Sequence, residues 1–123
     1  MAKILIVDDD VDYVECVKVV LERAGHSVTS ANNRDDGMEM VQAKKPDLLV
    51  LDIMMEEPDD GIAMAQDLRK TGFKNPILMM SGIARATGLA YDKDNEVTPV
   101  DDFVEKPVKP AVLLDKINAL LKR

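Results

Sequence analysis

The stretch Asp47-Leu48-Leu49-Val50-Leu51-Asp52 places four consecutive apolar residues between two carboxylates. Lys44-Lys45-Pro46 precede it, and the turn-forming residues Pro58-Asp59-Asp60-Gly61 follow it closely. A short apolar run between such boundaries is typical of a strand that is buried on both faces of a parallel sheet. Asp52 would then lie at the carboxyl end of this strand, where open α/β sheets bind their ligands.

Similar segments recur along the chain and predict four further strands: Ile4–Val7, Ser27–Ala31, Pro76–Met80 and Val100–Val104. The second of these is the least apolar, which favours a place at the edge of the sheet. Apolar residues at helical spacing predict a helix after each strand. These helices are predicted up to Gly25, over Arg34–Lys44 and Asp60–Thr71, in short or distorted form around Ala84–Asn95, and from Pro110 onward. The alternation predicts an α/β fold, a flavodoxin-like doubly wound (βα)5 three-layer sandwich with parallel strand order 2-1-3-4-5.

Size and composition limit the function classes. A chain of 123 residues, 46% hydrophobic and 32% charged, predicts one soluble domain over residues 1–123 with no output domain. The absence of a long apolar run argues against a membrane span, and the start Met1-Ala2-Lys3 is not an export signal. The single Cys16 is typical of a reducing compartment, which predicts a cytoplasmic location. A formal net charge of -7 argues against direct binding to nucleic acid.

Chemically capable side chains follow four of the apolar strands. Asp8 and Asp9 follow the first strand, Asp52 ends the third, Ser81 follows the fourth and Lys106 follows the fifth. In the order 2-1-3-4-5 the first and third strands are neighbours about 4.8 Å apart. The sequence therefore predicts that the three carboxylates meet at one edge of the sheet, with the serine and the lysine close by.

Three carboxylates so close together need a cation. Two of them about 4 Å apart repel each other by roughly 4 kcal/mol at an effective dielectric constant near 20. Magnesium prefers one or two carboxylates together with water and phosphate oxygens, which suits this small donor set. Lys106 would offer a positive charge, and Ser81 a hydroxyl donor, to an incoming phosphoryl group. We therefore predict a magnesium site beside a carboxylate that attacks phosphorus, with Asp52 as the nucleophile because it stands alone at its strand end.

These residues resemble the receiver domain of two-component response regulators. The resemblance covers essentially the whole chain and is carried by four segments: Ile4-Leu5-Ile6-Val7-Asp8-Asp9-Asp10, Asp47-Leu48-Leu49-Val50-Leu51-Asp52, Ser81-Gly82 and Phe103-Val104-Glu105-Lys106-Pro107. It implies that the chain is a phosphoacceptor, acting by binding other proteins. The phosphoryl group would come from the phosphohistidine of a sensor kinase or a histidine phosphotransfer protein.

The resemblance also implies individual roles. Asp8, Asp9, the acceptor Asp52 and the backbone carbonyl of Met54 would bind Mg²⁺, while Ser81 and Lys106 would contact the phosphoryl oxygens. Phe103 would be the aromatic switch, and the bond between Lys106 and Pro107 would be the family's cis peptide. Phosphorylation would then reshape the surface formed by the fourth helix, the fifth strand and the last helix. The chain would catalyse no reaction other than its own phosphorylation and dephosphorylation.

The sequence departs from the family pattern in its loops. Glu56 stands where a proline is usual, and Gly61 arrives one residue late in a loop rich in acids. Ser81 replaces the commoner threonine, and Phe103 the commoner tyrosine. The interval from Ser81 to Lys106 is long, with Thr98-Pro99-Val100 in place of Gly-Ala.

Other interpretations remain open at this point. The acids Asp8, Asp9 and Asp10 could simply cap the first helix. Asp8-Asp9-Asp10-Val11 also resembles the Asp-x-Asp signature of haloacid dehalogenase phosphatases, in which Asp8 would be the nucleophile and Asp10 the acid. The short chain and the lack of an acidic pair after Lys106 argue against that class. A binding scaffold that has lost phosphorylation is the third interpretation.

Overall fold

A parallel sheet of five strands forms the centre of the protein. The computed structural model describes residues 2–53, 55, 60–81, 100–106 and 108–122. The strands are β1 (Lys3–Val7), β2 (Ser27–Ala31), β3 (Leu48–Asp52), β4 (Ile77–Ser81) and β5 (Asp102–Glu105). The described helices are α1 (Val11–Arg23), α2 (Arg34–Lys44), α3 (Asp60–Lys70) and α4 (Pro110–Leu121).

The strand order is β2-β1-β3-β4-β5, and every pairing in this sheet is parallel. The predicted fold class and sheet order are confirmed, including the edge position of β2. The predicted helix around Ala84–Asn95 lies outside the described residues. In the part of the chain that the structure describes, no helix is both long and apolar enough to span a membrane.

Alternate residues of the central strands build two separate core layers, because successive side chains point to opposite faces of a sheet. On β1, Ile4 and Ile6 belong to a cluster shared with α1 and α4. Leu5 and Val7 belong to a second cluster, shared with α2 and α3. All five residues of β3 are buried, as predicted for a strand covered on both faces. The sheet is thereby held rigidly between two layers, so that its carboxyl edge is a stable platform.

Strand β5 begins two residues later than predicted. Val100 packs against the second core cluster, and the Asp101 carboxylate accepts a hydrogen bond of 2.8 Å from the Ile77 backbone N–H. The same carboxylate is paired with the Arg69 guanidinium at 2.9 Å. The Asp101 backbone N–H also donates to the Ile77 carbonyl at 2.9 Å, so the backbone and the side chain of Asp101 both bond Ile77 just before regular pairing begins at Asp102.

Candidate functional site

Asp8 and Asp52 lie side by side at the carboxyl ends of the two central strands. Val7 pairs with Leu51, so the next residue on each strand is a carboxylate. The backbone N–H of Asp8 donates to the carbonyl of Ala31 at 3.1 Å, which fixes Asp8 against β2 as well. The meeting of the two acids follows directly from the register of the sheet.

Both carboxylates are buried and share a single ammonium group. Asp8 is 0% exposed and Asp52 is 5% exposed. Lys106 directly follows β5, and its Nζ lies 2.7 Å from Asp8 Oδ2 and 3.4 Å from Asp52 Oδ1. The long stem of the lysine spans the distance from β5, so the three predicted residues come together.

Asp9 and Asp10, the two acids that follow Asp8, make different contacts. Asp9 is exposed, and one of its carboxylate oxygens lies within 4.8 Å of an oxygen of Asp8 and of Asp52. Asp10 is the N-cap of α1, and its Oδ1 accepts the backbone N–H of Tyr13 at 3.1 Å. Asp10 is therefore the capping residue, whereas Asp8 and Asp9 face the site.

The environment of Asp52 disfavours its negative charge. Burial, and next the charge of Asp8, raise the pKa of Asp52 to about 7, and the ammonium of Lys106 only partly offsets them. Burial lowers the pKa of Lys106, but its contacts with Asp8 and Asp52 outweigh burial and raise that pKa. Lys106 therefore stays protonated at neutral pH, and one positive charge faces three carboxyl groups.

This donor set fits a divalent cation that prefers oxygen ligands. Asp8 Oδ2 is buried and, although it faces Lys106, accepts no hydrogen bond of good geometry from the described part of the chain. Its lone pairs are available to a ligand, and Asp9 and Asp52 supply further carboxylate oxygens within the same small volume. Hard dications such as Mg²⁺ favour such oxygens. A bound dication would also relieve the repulsion that raises the pKa of Asp52.

The start of α3 lies very close to the end of β3. The backbone N–H of Gly61 donates to the carbonyl of Ile53 at 2.8 Å. A Cβ atom at position 61 would lie 2.0 Å from the Asp52 carbonyl oxygen and 2.8 Å from the Ile53 Cα. Only glycine fits here without moving the backbone of Asp52, so Gly61 fixes the position of the candidate nucleophile.

Five other predicted features either do not belong to this cluster or lie outside the described residues. Phe103 is half-buried, packs against the second core cluster and pairs with Met79 on β4. Ser81 ends β4 opposite Glu105, while its side chain lies outside the described part. Three predictions fall on residues outside the description: the Met54 carbonyl, the cis peptide at Pro107 and the acid-rich loop at 56–59.

Tyr13 is a site residue that the sequence reasoning missed. The centroid of its ring lies 4.8 Å from Lys106 Nζ, and its hydroxyl oxygen accepts the backbone N–H of Val108 at 3.4 Å. Burial raises the pKa of the Tyr13 hydroxyl, so the phenol is neutral at pH 7. The signal in the sequence is an aromatic residue in the first turn of a helix that starts at an acidic strand end.

The raised pKa of Asp52 predicts a pH-dependent stability in the metal-free protein. Folded Asp52 takes up its proton near pH 7, whereas the unfolded side chain does so near its ordinary value of 3.8. Its contribution to stability is therefore fully present below pH 3.8 and is lost as the pH rises through 7. In urea unfolding with a chelator, we expect the contribution of Asp52 to the free energy of unfolding to be about 1 kcal/mol larger at pH 6 than at pH 8.

The Asp52→Asn variant is the control for this pH prediction, because it retains every other titrating group, including His26. We expect the variant to lack that part of the pH dependence. If the free energy of unfolding changed equally between pH 6 and pH 8 in the wild type and in the variant, the pH dependence would not come from Asp52.

Comparison with known families gives a consistent result over nearly the whole chain. The model of the response regulator receiver domain matches residues 4–118. Among curated proteins, the response regulator MprA of Mycobacterium leprae is 37% identical over 121 residues. The alkaline phosphatase synthesis transcriptional regulatory protein PhoP of Bacillus subtilis is 33% identical over 128 residues. Each alignment covers 98% of this chain but only 51% and 49% of those proteins, so the chain spans about half their length.

Solved structures agree with the sequence relatives. A CheY-like response regulator receiver domain protein from Methanospirillum hungatei superposes with a TM-score of 0.86 at 26% identity, covering 99% of this chain and 94% of that one. The BeF3-activated N-terminal receiver domain of RstA from Klebsiella pneumoniae gives a TM-score of 0.81 at 27% identity, covering 98% and 99%.

Proposed function

Because this chain belongs to the response regulator receiver domain family, we propose that Asp52 is the residue that accepts the phosphoryl group. The observation that carries this assignment is the buried carboxylate of Asp52 at a strand end, 3.4 Å from the Lys106 ammonium and beside two further acids. The donor would be a phosphohistidine of a sensor kinase or a histidine phosphotransfer protein.

In the proposed reaction, an Asp52 carboxylate oxygen forms a bond to phosphorus while the bond from phosphorus to the donor imidazole nitrogen breaks. The electron pair of that bond goes to the nitrogen, which takes up a proton from solvent. The Lys106 ammonium is placed to pair with a phosphoryl oxygen, because it already lies within reach of Asp52. Ser81 is proposed as a second contact to these oxygens.

Asp8, Asp9 and Asp52 are the residues proposed to hold Mg²⁺, together with the Met54 carbonyl. Bound there, the ion would screen the carboxylates from one another and from the oxygens of the phosphoryl donor.

The chain's own catalysis is proposed to be limited to gaining and losing this one phosphoryl group. Its output is proposed to be a change in protein binding, with Phe103 as the switch residue. Neither a membrane nor nucleic acid is proposed as a direct partner of this domain. The single-domain organisation and the cytoplasmic location stay predictions.

The phosphatase interpretation is not favoured by the structure. It requires Asp10 to act as an acid toward a substrate, but the Asp10 carboxylate accepts a helix N–H as the cap of α1. It also requires Asp8 to attack phosphorus, whereas Asp8 is 0% exposed and Asp52, at 5%, is the more exposed of the two acids.

Chemical mapping of the acyl phosphate tests the assignment. The protein is treated with acetyl phosphate and Mg²⁺, and borohydride then reduces the aspartyl phosphate to homoserine, which peptide mass spectrometry locates. We expect homoserine at position 52, and none when a chelator removes the metal. Homoserine at position 8, or modification that is independent of metal, would refute the proposal.

A further inference from the structure

Lys106 has a third close neighbour besides the two carboxylates. Its ammonium nitrogen lies 4.8 Å from the centroid of the Tyr13 ring, which is within the range of a cation–π interaction. The same nitrogen lies 2.7 Å from Asp8 Oδ2 and 3.4 Å from Asp52 Oδ1. The ring therefore forms an uncharged side of the small volume in which the ammonium group lies.

The Tyr13 ring is itself held in place from both ends. The backbone N–H of Tyr13 donates to the capping carboxylate of Asp10 at 3.1 Å, which anchors the residue in the first turn of α1. At the other end its hydroxyl oxygen accepts the backbone N–H of Val108 at 3.4 Å. The half-buried side chain also packs against the first core cluster. Tyr13 thus connects the start of α1 to the segment that carries Lys106.

We propose that Tyr13 is a positioning residue for Lys106, which holds the ammonium within reach of Asp52 by a cation–π interaction. This inference rests on the proposed function, because it concerns how Lys106 is kept ready for the phosphoryl group. A lysine ammonium sits on a flexible four-carbon stem and loses much rotational freedom when it is fixed in one place. A ring that already covers one side of the ammonium reduces that loss at the moment of transfer.

An aromatic ring suits this position better than another carboxylate would. Asp8, the nearest partner of the ammonium, is also one of the proposed ligands of the metal, so the cation and Lys106 compete for its oxygens. The Tyr13 ring carries no charge at neutral pH and binds no dication. It therefore attracts the ammonium without competing for the metal or repelling the phosphoryl oxygens.

Substitutions at position 13 separate the π interaction from simple packing. Tyr13→Phe retains the ring and removes the hydroxyl, whereas Tyr13→Leu retains an apolar side chain and removes the ring. With saturating Mg²⁺, we measure the rate of acyl phosphate formation against acetyl phosphate concentration. We expect Tyr13→Phe to stay within about twofold of the wild type, and Tyr13→Leu to lose roughly three- to tenfold in kcat/KM, the range of one cation–π interaction.

A spectroscopic measurement makes the same test without activity. The ε-methylene group of Lys106 is bonded to the ammonium nitrogen that lies over the Tyr13 ring, 4.8 Å from its centroid, so we expect an upfield ring-current shift of its protons in carbon-proton NMR spectra of the wild type and of Tyr13→Phe. The shift should vanish in Tyr13→Leu. A series of ring-fluorinated phenylalanines at position 13, which weakens the π face at nearly constant volume, should lower the rate stepwise. Val19→Ala, an exposed change on the same helix, is the matched control and should leave both readouts unchanged.

The outcomes distinguish this inference from the proposed function. If the wild type acquires no phosphoryl group at Asp52, the proposed function fails, and the ring-current shift still reports whether Tyr13 holds Lys106. If the wild type is phosphorylated but Tyr13→Leu reacts at the wild-type rate, the positioning role is overturned. Equal losses in Tyr13→Phe and Tyr13→Leu, or a flat response to ring fluorination, would overturn it too.

Discussion

Replacing Asp52 with asparagine is expected to abolish phosphorylation by acetyl phosphate or by a kinase phosphohistidine. An amide cannot form the acyl phosphate, so the variant lacks the proposed acceptor carboxylate. Intact-protein mass spectrometry after incubation with Mg²⁺ and the small phosphodonor measures the effect directly. We expect one added phosphoryl group in the wild type and none in the variant.

Asp8→Asn is the matched variant, because it changes a neighbouring buried acid in the same way. It removes a proposed metal ligand and the partner of Lys106, so we expect slower phosphorylation that still occurs at Asp52. The environment of Asp52 raises its pKa to about 7. Asp52→Asn therefore removes a destabilising charge, and it should be at least as stable as the metal-free wild type at pH 8. Retained labelling in Asp52→Asn together with its loss in Asp8→Asn would reverse the assignment.

The second large effect is expected from Gly61→Ala. The added methyl group would lie 2.0 Å from the Asp52 carbonyl oxygen and 2.8 Å from its carbonyl carbon, and both are backbone atoms that cannot rotate away. The start of α3 and the end of β3 must separate, at an expected cost of about 3 kcal/mol or more in the free energy of unfolding. Urea unfolding followed by circular dichroism measures this cost. Phosphorylation should slow as well, since the Asp52 backbone moves.

Gly72→Ala controls for the general cost of removing a glycine. Gly72 has a φ of +99°, and a Cβ atom there would meet nothing within 4 Å. Its replacement should cost only about 1–2 kcal/mol, through backbone strain. A loss in Gly61→Ala no larger than the loss in Gly72→Ala, with normal phosphorylation, would show that the close approach at Gly61 does not constrain the site.

Much of the fold could be predicted from the local pattern of apolar and acidic residues. Apolar runs that end at Asp8 and Asp52 identified the strands, and the rule that ligand sites lie at the carboxyl ends of parallel strands brought these acids together. Lys106 was predictable for the same reason, because it follows the last strand directly. The direction of the chain and the order of the strands are enough to place Asp8, Asp52 and Lys106 at the same edge of the sheet.

The contacts that could not be predicted depend on side-chain directions across distant parts of the chain. Tyr13 meets Lys106 and Val108 only because α1 and the start of α4 pack on the same face of the sheet. The divided roles of Asp9 and Asp10 depend on the backbone turn before α1, which three consecutive acids leave ambiguous. The late start of β5 depends on Asp101 bonding to Ile77, a contact between segments that are 24 residues apart.

The parallel sheet also has a consequence for how the chain folds. All four strand pairings of the sheet are parallel, and a tight two-residue turn cannot join parallel strands, so folding of this sheet cannot begin from a tight hairpin. Among the pairings with a described helix between the two strands, the shortest unit is β1-α1-β2, and forming it costs loop-closure entropy before its contacts stabilise it. A rate-limiting nucleus that contains β1, α1 and β2 is therefore the expected start of folding.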